Sequence, residues 1–441
     1  MEQRRKNLTQ LFIPICLETL LYMLSGMVDT LMLSSVNDQA VGAVGTANTY
    51  IGIFIIMFSV ISSGMVAVMT QNIGAGRPGV AYQARQLGLV FNAALGVIMS
   101  LFLSLGAGTI LSGVGVADAL MQPAKTYLQI VGGFCILNAL IPICSSYLRA
   151  FGFSKEPLYA SIIGNVINFC LNAFFLFVLH KGVAGVATAT VISRIINLVF
   201  VVLLGAVLVK AKQHPERESN RAVMGQIIRI GLPSACETAI YNVSMTLVIR
   251  FLNQMDAQGL NVTARSYTMQ ITNFSYCVGA ALAQANAIMT GWHIGAKEYD
   301  ACDRGTKKAA VIGVIVAVIL ETVFTLCSGW IMQLFSKDPQ MVSLVGKLLA
   351  IDIVLEIGRV TNLVYGQALK TSGDAVFPVV MGACFMILCS VGGTYLFGIR
   401  LGLLAVGAYI GMTGDECVRA VGMYLRWKSG KWKEKGLVKS R

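Results

Sequence analysis

The sequence predicts an all-α integral membrane protein, with twelve transmembrane helices in two six-helix bundles related by a parallel internal repeat. Three observations carry that prediction. Of 441 residues, 56% are hydrophobic and 12% charged, about half the charged share of a soluble domain. Apolar segments recur along the whole chain, each long enough to cross about 30 Å of hydrocarbon. Landmarks of the first half return in the second at a displacement of 219 to 221 residues, as a duplicated unit requires.

The twelve spans are expected at 8–34, 46–72, 83–111, 124–150, 157–180, 183–209, 226–254, 263–291, 305–333, 340–370, 376–398 and 402–427. Orientation follows from lysine and arginine, which concentrate on the cytoplasmic side of membrane proteins. With both termini inside, the inner segments hold 24 of these residues and the outer segments four, Lys125, Lys181, Lys337 and Arg400. The most polar connector, Lys210 to Arg221, reads KAKQHPERESNR and separates the halves. The expected organisation is therefore a first lobe at 1–209, a cytoplasmic linker at 210–225, a second lobe at 226–427 and a basic cytoplasmic tail at 428–441. No short apolar segment is followed by a small-residue cleavage site, so the first span is expected to serve as its own insertion signal.

The repeat is specific. Pro14, Glu18, Thr19, Tyr22 and Ser25 recur as Pro233, Glu237, Thr238, Tyr241 and Ser244. Ile73-Gly74-Ala75 recurs as Ile294-Gly295-Ala296, Gly152 and Pro157 as Gly373 and Pro378, and Gly182 as Gly402. Each copy holds six helices, an even number, so both enter the membrane in the same sense.

The first span concentrates the chemistry. Glu18 and Asp29 lie eleven residues apart, which at about 100° per residue puts them on one helical face. Tyr22 and Ser25 share that stripe. Ionisable groups in hydrocarbon are costly, so this stripe faces other helices or water, and a proton or cation site is its functional reading. Asp29 would correspond to Val248 in the second half. The lower acid therefore occurs once, as a coupling site can, whereas the Glu-Tyr-Ser stripe is duplicated.

Other polar groups inside spans have structural readings. Asn165, Asn168 and Asn172 share a face of the fifth span, where amides commonly join helices. Glu356–Arg359 and Asp415–Arg419 have ion-pair spacing on a helix. Glu237 has no basic residue within a turn, and Glu321 is similarly unpaired along its helix. Most of the eleven cysteines sit inside apolar segments without metal-ligand spacing, and are read as small buried residues. The net charge of +13 lies in loops and termini, as for cytoplasmic flanks beside an anionic leaflet rather than a nucleic-acid surface. No HExxH, GxSxG or GxxxxGK[ST] motif occurs, which argues against an enzyme or an ATP-driven pump.

These residues carry a resemblance. Pro14 followed fifteen residues later by Asp29-Thr30, Gln71 with Gly74-Ala75-Gly76, and the turns Leu148-Arg149-Ala150-Phe151-Gly152 and Leu369-Lys370-Thr371-Ser372-Gly373-Asp374 are similar to motifs of the multidrug and toxic compound extrusion (MATE) family. The ending DECVRAVGMYLRWKSGKW resembles a bacterial, Firmicute-like branch. The resemblance covers nearly the whole chain. It implies a MATE/MOP-like fold and export of cationic or amphiphilic small molecules in exchange for H⁺ or Na⁺, with no other cofactor. It further implies cation coupling at Asp29, Asn168, Asn172 and Thr190, where Na⁺ would bind if it is the coupling ion. At Asn172 some members carry Asp. A second group of members uses a glutamate eight residues after the helix-seven proline, whereas Glu237 follows Pro233 by four.

Glu18, Glu237, Tyr22, Tyr241, Glu356 and Arg359 are secondary candidates for substrate or proton binding. The expected setting is the inner (plasma) membrane, as a lipid-embedded monomer without nucleic-acid partners. The alternative is a lipid-linked oligosaccharide flippase of related architecture, which would need a large basic cleft for a pyrophosphate.

Overall fold

The computed structural model describes residues 6–35, 38–113, 116–210, 215–256, 259–333 and 335–438. Lys212 and the terminal basic residues Arg4, Arg5, Lys439 and Arg441, which entered the charge count, lie outside them. Among the described residues the chain is helical throughout, without strands.

The first six spans are α1 (Leu8–Ser34), α2 (Asp38–Gly74), α3 (Pro78–Gly113), α4 (Asp118–Gly132 and Ile136–Ala150), α5 (Lys155–Val178) and α6 (Gly182–Leu208). The second six are α7 (Asn220–Met255), α8 (Leu260–Gly295), α9 (Tyr299–Leu326), α10 (Pro339–Ser372), α11 (Val376–Arg400) and α12 (Leu404–Lys428). Seven of these are long and apolar enough to cross a membrane, and α4, bent by 43° between its two parts, makes an eighth. The remaining four, α7, α8, α10 and α12, are 36, 36, 34 and 25 residues long and hold much of the second half's polar content.

The chain divides into two compact units, Met1–Leu232 and Pro233–Arg441. The first buries an apolar core that includes Leu103, Leu111, Leu128, Leu176 and Val186. The second packs around Val248, Leu252, Leu348, Leu355 and Tyr409. The division falls inside α7 rather than in the 210–225 connector, and close packing explains why. A Cβ on Gly231 would stand 1.6 Å from the Val60 carbonyl oxygen, and one on Gly64 would stand 2.0 Å from that of Ile227. The first turns of α7 therefore lie against α2 backbone to backbone, which only glycine permits. The connector is correspondingly short. Glu218 pairs with Arg77 at 2.6 Å and accepts at its carbonyl from Gln83 at 2.7 Å, just before α7 begins.

The segment after α12, expected as a basic tail, folds onto the second unit as far as Leu437. Trp432 is buried, stacks on Trp427 at 4.1 Å and donates its indole N–H to the Trp427 carbonyl at 2.9 Å. Lys435 and Arg426 both donate to the Asp374 carboxylate, at 2.9 and 2.7 Å. Indole rings and lysine stems bury apolar surface while keeping their polar ends paired. A run rich in lysine conceals that property from a reading by charge alone.

The sequence repeat has structural counterparts. Thr19 and Thr238 each donate to the carbonyl four residues back, Ile15 at 2.8 Å and Ser234 at 3.1 Å. Gly152 and Gly373 both take left-handed backbone angles, φ 86° and 101°. Gly76 is left-handed at φ 74°, and its counterpart is a lysine, Lys297, at φ 60°. α5 ends in a wide π-type turn, Phe174–Val178, and α11 ends in another, Thr394–Arg400, at the corresponding place. Such turns leave a residue outside the regular helical ladder and are frequent at functional sites.

Candidate functional site: a carboxylate held by an asparagine pair

α1 packs chiefly on α5, and this places the candidate coupling residues together. Asn172 donates its side-chain N–H to Asp29 Oδ1 at 2.6 Å and to Asn168 Oδ1 at 3.2 Å. The i, i+4 spacing of Asn168 and Asn172 on α5 brings their amides side by side. Asn172 is fully buried and Asn168 nearly so, while Asp29 is partly buried. The Asn172 carbonyl oxygen is buried without a hydrogen-bond partner. A buried oxygen of that kind has given up water without compensation, so it is an acceptor in need of a donor or a cation. Asn172 also lies immediately before the wide turn of α5, where the helix changes its pitch.

Thr190 lies on α6, which packs on α5. Its hydroxyl is buried and donates to the Val186 carbonyl of its own helix at 2.9 Å. The Asp29–Asn172–Asn168 contact is therefore made without it. Two groups not singled out for this site lie within electrostatic reach of Asp29, namely Arg194 and the buried Tyr127. Arg194 had a legible signal, since it follows Thr190 by one helical turn on the same span. Tyr127 had none, because it reaches the site from α4 across the bundle.

The secondary candidates separate into two groups. Glu18 does not join Asp29. It pairs with Arg149 at 2.6 Å and accepts from Ser161 at 3.4 Å. Tyr22, on the same stripe, is 70% exposed. Glu237, which has no basic neighbour along its helix, is paired across helices with Lys370 at 2.7 Å. The two contacts are counterparts in the repeat. Each joins the first helix of a repeat to the last turn of its fourth, so a shared architectural role is the physical reading of both glutamates.

Tyr241, Glu356 and Arg359 belong to a polar interior in the second unit. Tyr241, Arg265, Asp352, Arg359, Asp415 and Glu416 line a cavity of about 210 Å³. Glu356 and Arg359 form the ion pair that their spacing predicts. Arg419 donates to Asp415 at 2.8 Å and lies 2.9 Å from Glu416, which also accepts from Asn362 at 3.0 Å. Three carboxylates of this network are held by two guanidinium groups.

The comparisons with known proteins follow the same two-part geometry. The MatE family matches twice, over residues 14–174 and 233–396, so that the two segments begin at the duplicated prolines. The chain belongs to the MatE family. It is 34% identical over 431 residues to the "Uncharacterized transporter YisQ" of Bacillus subtilis (strain 168), covering 96% of this chain and 94% of that one. It is 23% identical to the "Probable multidrug resistance protein NorM" of Thermotoga maritima, covering 98% and 94%. Among solved structures, "Crystal structure of MATE in the bent conformation" matches with a TM-score of 0.88 at 19% identity, covering 97% of this chain and 96% of that one. A mutant of the Vibrio cholerae MATE transporter VcmN matches at 0.88 and 17% identity, covering 97% and 98%. MATE proteins are multi-pass membrane transporters of small molecules and not enzymes, and this chain has their twelve-helix, two-repeat fold.

Proposed function

We propose that this MATE protein is a secondary antiporter that exports cationic or amphiphilic small molecules in exchange for H⁺ or Na⁺, with the coupling ion exchanged at Asp29. The observation that carries this reading is the Asp29–Asn172–Asn168 contact, with the Asn172 carbonyl buried and unsatisfied beside it. A carboxylate in water-poor surroundings is costly while it is charged. A proton or a cation on Asp29 removes that cost, and a cation could also take the free carbonyl of Asn172. Neutralising Asp29 weakens its hold on the Asn172 N–H, so loading the ion changes how firmly α1 is held on α5. Ion movement and repacking of α1 are thereby linked. Efflux-related names among the relatives, such as the multidrug resistance protein of Thermotoga maritima, support the substrate class. The excess of lysine and arginine in the inner segments supports a plasma-membrane protein with both termini in the cytoplasm.

The test is efflux of a fluorescent lipophilic cation from proteoliposomes under ΔpH or ΔNa⁺, imposed separately, with wild type beside Asp29→Asn at matched incorporation. The expected result is transport driven by one gradient and reduced at least about tenfold in the variant, since one charge-assisted contact is worth roughly 1.5 kcal/mol or more. Full gradient-driven transport by Asp29→Asn would overturn the assignment. The flippase reading needs a basic chamber for a pyrophosphate. In the second-unit cavity three carboxylates, Asp352, Asp415 and Glu416, face two arginines, Arg265 and Arg359, which favours cationic cargo.

A further inference from the structure

Arg265, on α8, is a buried charge without a counter-charge. It is 5% exposed and lines the cavity of the second unit. Among the described residues it forms no ion pair. Its Nη2 points at the Met245 sulfur, 3.7 Å away, and its buried Nε–H has no acceptor. A thioether is a weak acceptor, and a guanidinium keeps its charge throughout the physiological pH range. An arginine held in this way has given up water and gained little in return.

The acids of the same interior are engaged elsewhere. Arg359 and Arg419 hold Glu356, Glu416 and Asp415. Glu321, Asp352 and Glu356 bring oxygens within 4.8 Å of one another, and Arg359, not Arg265, is the cation within reach of Asp352. Position explains the separation. Arg265, Met269, Thr272 and Tyr276 line the cavity from one face of α8, and the rise from the first to the last is about 16 Å. Tyr276, at the far end of that run, lies within electrostatic reach of Arg359 and Glu416. The cavity therefore runs from a lone guanidinium to a network richer in carboxyl groups than in arginines.

We propose that Arg265 receives an anionic group of the cargo, so that this cavity takes a zwitterion: a single-ring amphiphile with a carboxylate at one end and an amine at the other. The inference rests on the export reading above and adds the second charge that the reading leaves open. A planar guanidinium meets a carboxylate through two parallel N–H···O bonds, and the unpartnered Nε–H of Arg265 is one half of such a fork. The amine end then faces the carboxyl-rich end of the cavity. Between the two ends Met245, Met269 and Tyr276 supply an apolar and aromatic wall. The volume of about 210 Å³ is somewhat above the roughly 150 Å³ that accommodates benzene, which limits the body of the molecule to one ring.

The experiment is isothermal titration calorimetry of the purified full-length protein in detergent with phenylalanine, phenethylamine and 3-phenylpropionate in turn. The three share one ring and its side chain, but phenethylamine lacks the carboxylate and 3-phenylpropionate lacks the amine. Wild type, Arg265→Gln, Arg265→Lys and Asp29→Asn are compared. Wild type should bind phenylalanine, and each single-charge analogue at least about tenfold more weakly, as loss of a charged contact in a buried site requires. Arg265→Gln should weaken phenylalanine at least about tenfold and leave phenethylamine unchanged. Arg265→Lys, which keeps the charge without the fork, should fall between. If the Arg265 variants do not fold, the three ligands on wild type carry the comparison. No binding of phenylalanine to wild type, equal binding of either analogue, or undiminished binding of phenylalanine to Arg265→Gln would each overturn the proposal. Asp29→Asn should bind phenylalanine as wild type does. Full gradient-driven transport by Asp29→Asn, with phenylalanine binding still lost in Arg265→Gln, would remove the coupling assignment and leave this site standing.

Discussion

Two glutamates at equivalent positions, Glu18 and Glu237, are each tied to one cation, Arg149 and Lys370. Removing one partner of such a pair strands the other in a half-dry setting. Glu237→Gln should therefore lower stability by roughly 2 kcal/mol, less than the 3–5 kcal/mol of a fully buried pair because both side chains keep some exposure. The exchange Glu237→Lys with Lys370→Glu should restore most of the loss. Thermal unfolding followed by size-exclusion chromatography would measure both, and an unchanged midpoint in Glu237→Gln would show the pair to be idle. The same residue shows where reading by sequence stops. Ion pairs one turn apart, Glu356–Arg359 and Asp415–Arg419, are legible because helix geometry alone brings their members together. Glu237–Lys370 and Asp29–Asn172 join residues on different helices, which periodicity cannot register. Glu321 looked isolated for the same reason, since its companions lie on α10.

Among the elements, α7 shows how a helix can begin in one unit and continue in the next. The close approach at Gly231 and Gly64 allows no side chain. Gly231→Ala should destabilise by at least about 3 kcal/mol, the upper range for forcing atoms into a packed site. Gly225, on the same helix, has nothing within 4 Å of an added Cβ. Gly225→Ala should be neutral or stabilise by up to about 1 kcal/mol through helix propensity. Equal effects of the two changes on the unfolding midpoint would refute the packing argument. The spans themselves were legible, with ends that differ by up to eight residues at the start of α2, because length and apolarity are properties of contiguous sequence. The bend within α4, the wide turns of α5 and α11 and the early start of α7 were not, since each depends on what a neighbouring helix offers.

At the scale of the whole molecule, stability should depend on pH through Asp374, which sits in the turn between α10 and α11. Burial alone would raise its carboxyl, but hydrogen bonds from Arg426 and Lys435 outweigh burial and hold it below the usual aspartate range. Its ionised form is thus favoured more in the folded protein than in the unfolded chain. The resulting stabilisation is complete above the ordinary aspartate range and is lost as pH falls through the lowered value in the folded state. Asp374→Asn should remove it, at a cost of about 2 kcal/mol at neutral pH, and should flatten the acid side of the stability profile. An identical acid profile in variant and wild type would count against the role. This contact also binds the segment after α12, in which Trp432 is buried, to the second unit.

The paired contacts Glu18–Arg149 and Glu237–Lys370 also bear on ancestry. One bond, at one register, in both halves is most simply inherited from a single six-helix forebear rather than acquired twice. Such a forebear would have needed a second copy of itself to do what the two halves now do in one chain. Once fused, the copies were free to drift apart in chemistry while the shared skeleton held them to one shape. Asp29 facing the α5 amides in one copy, and the Glu321 cluster in the other, are what that freedom left behind.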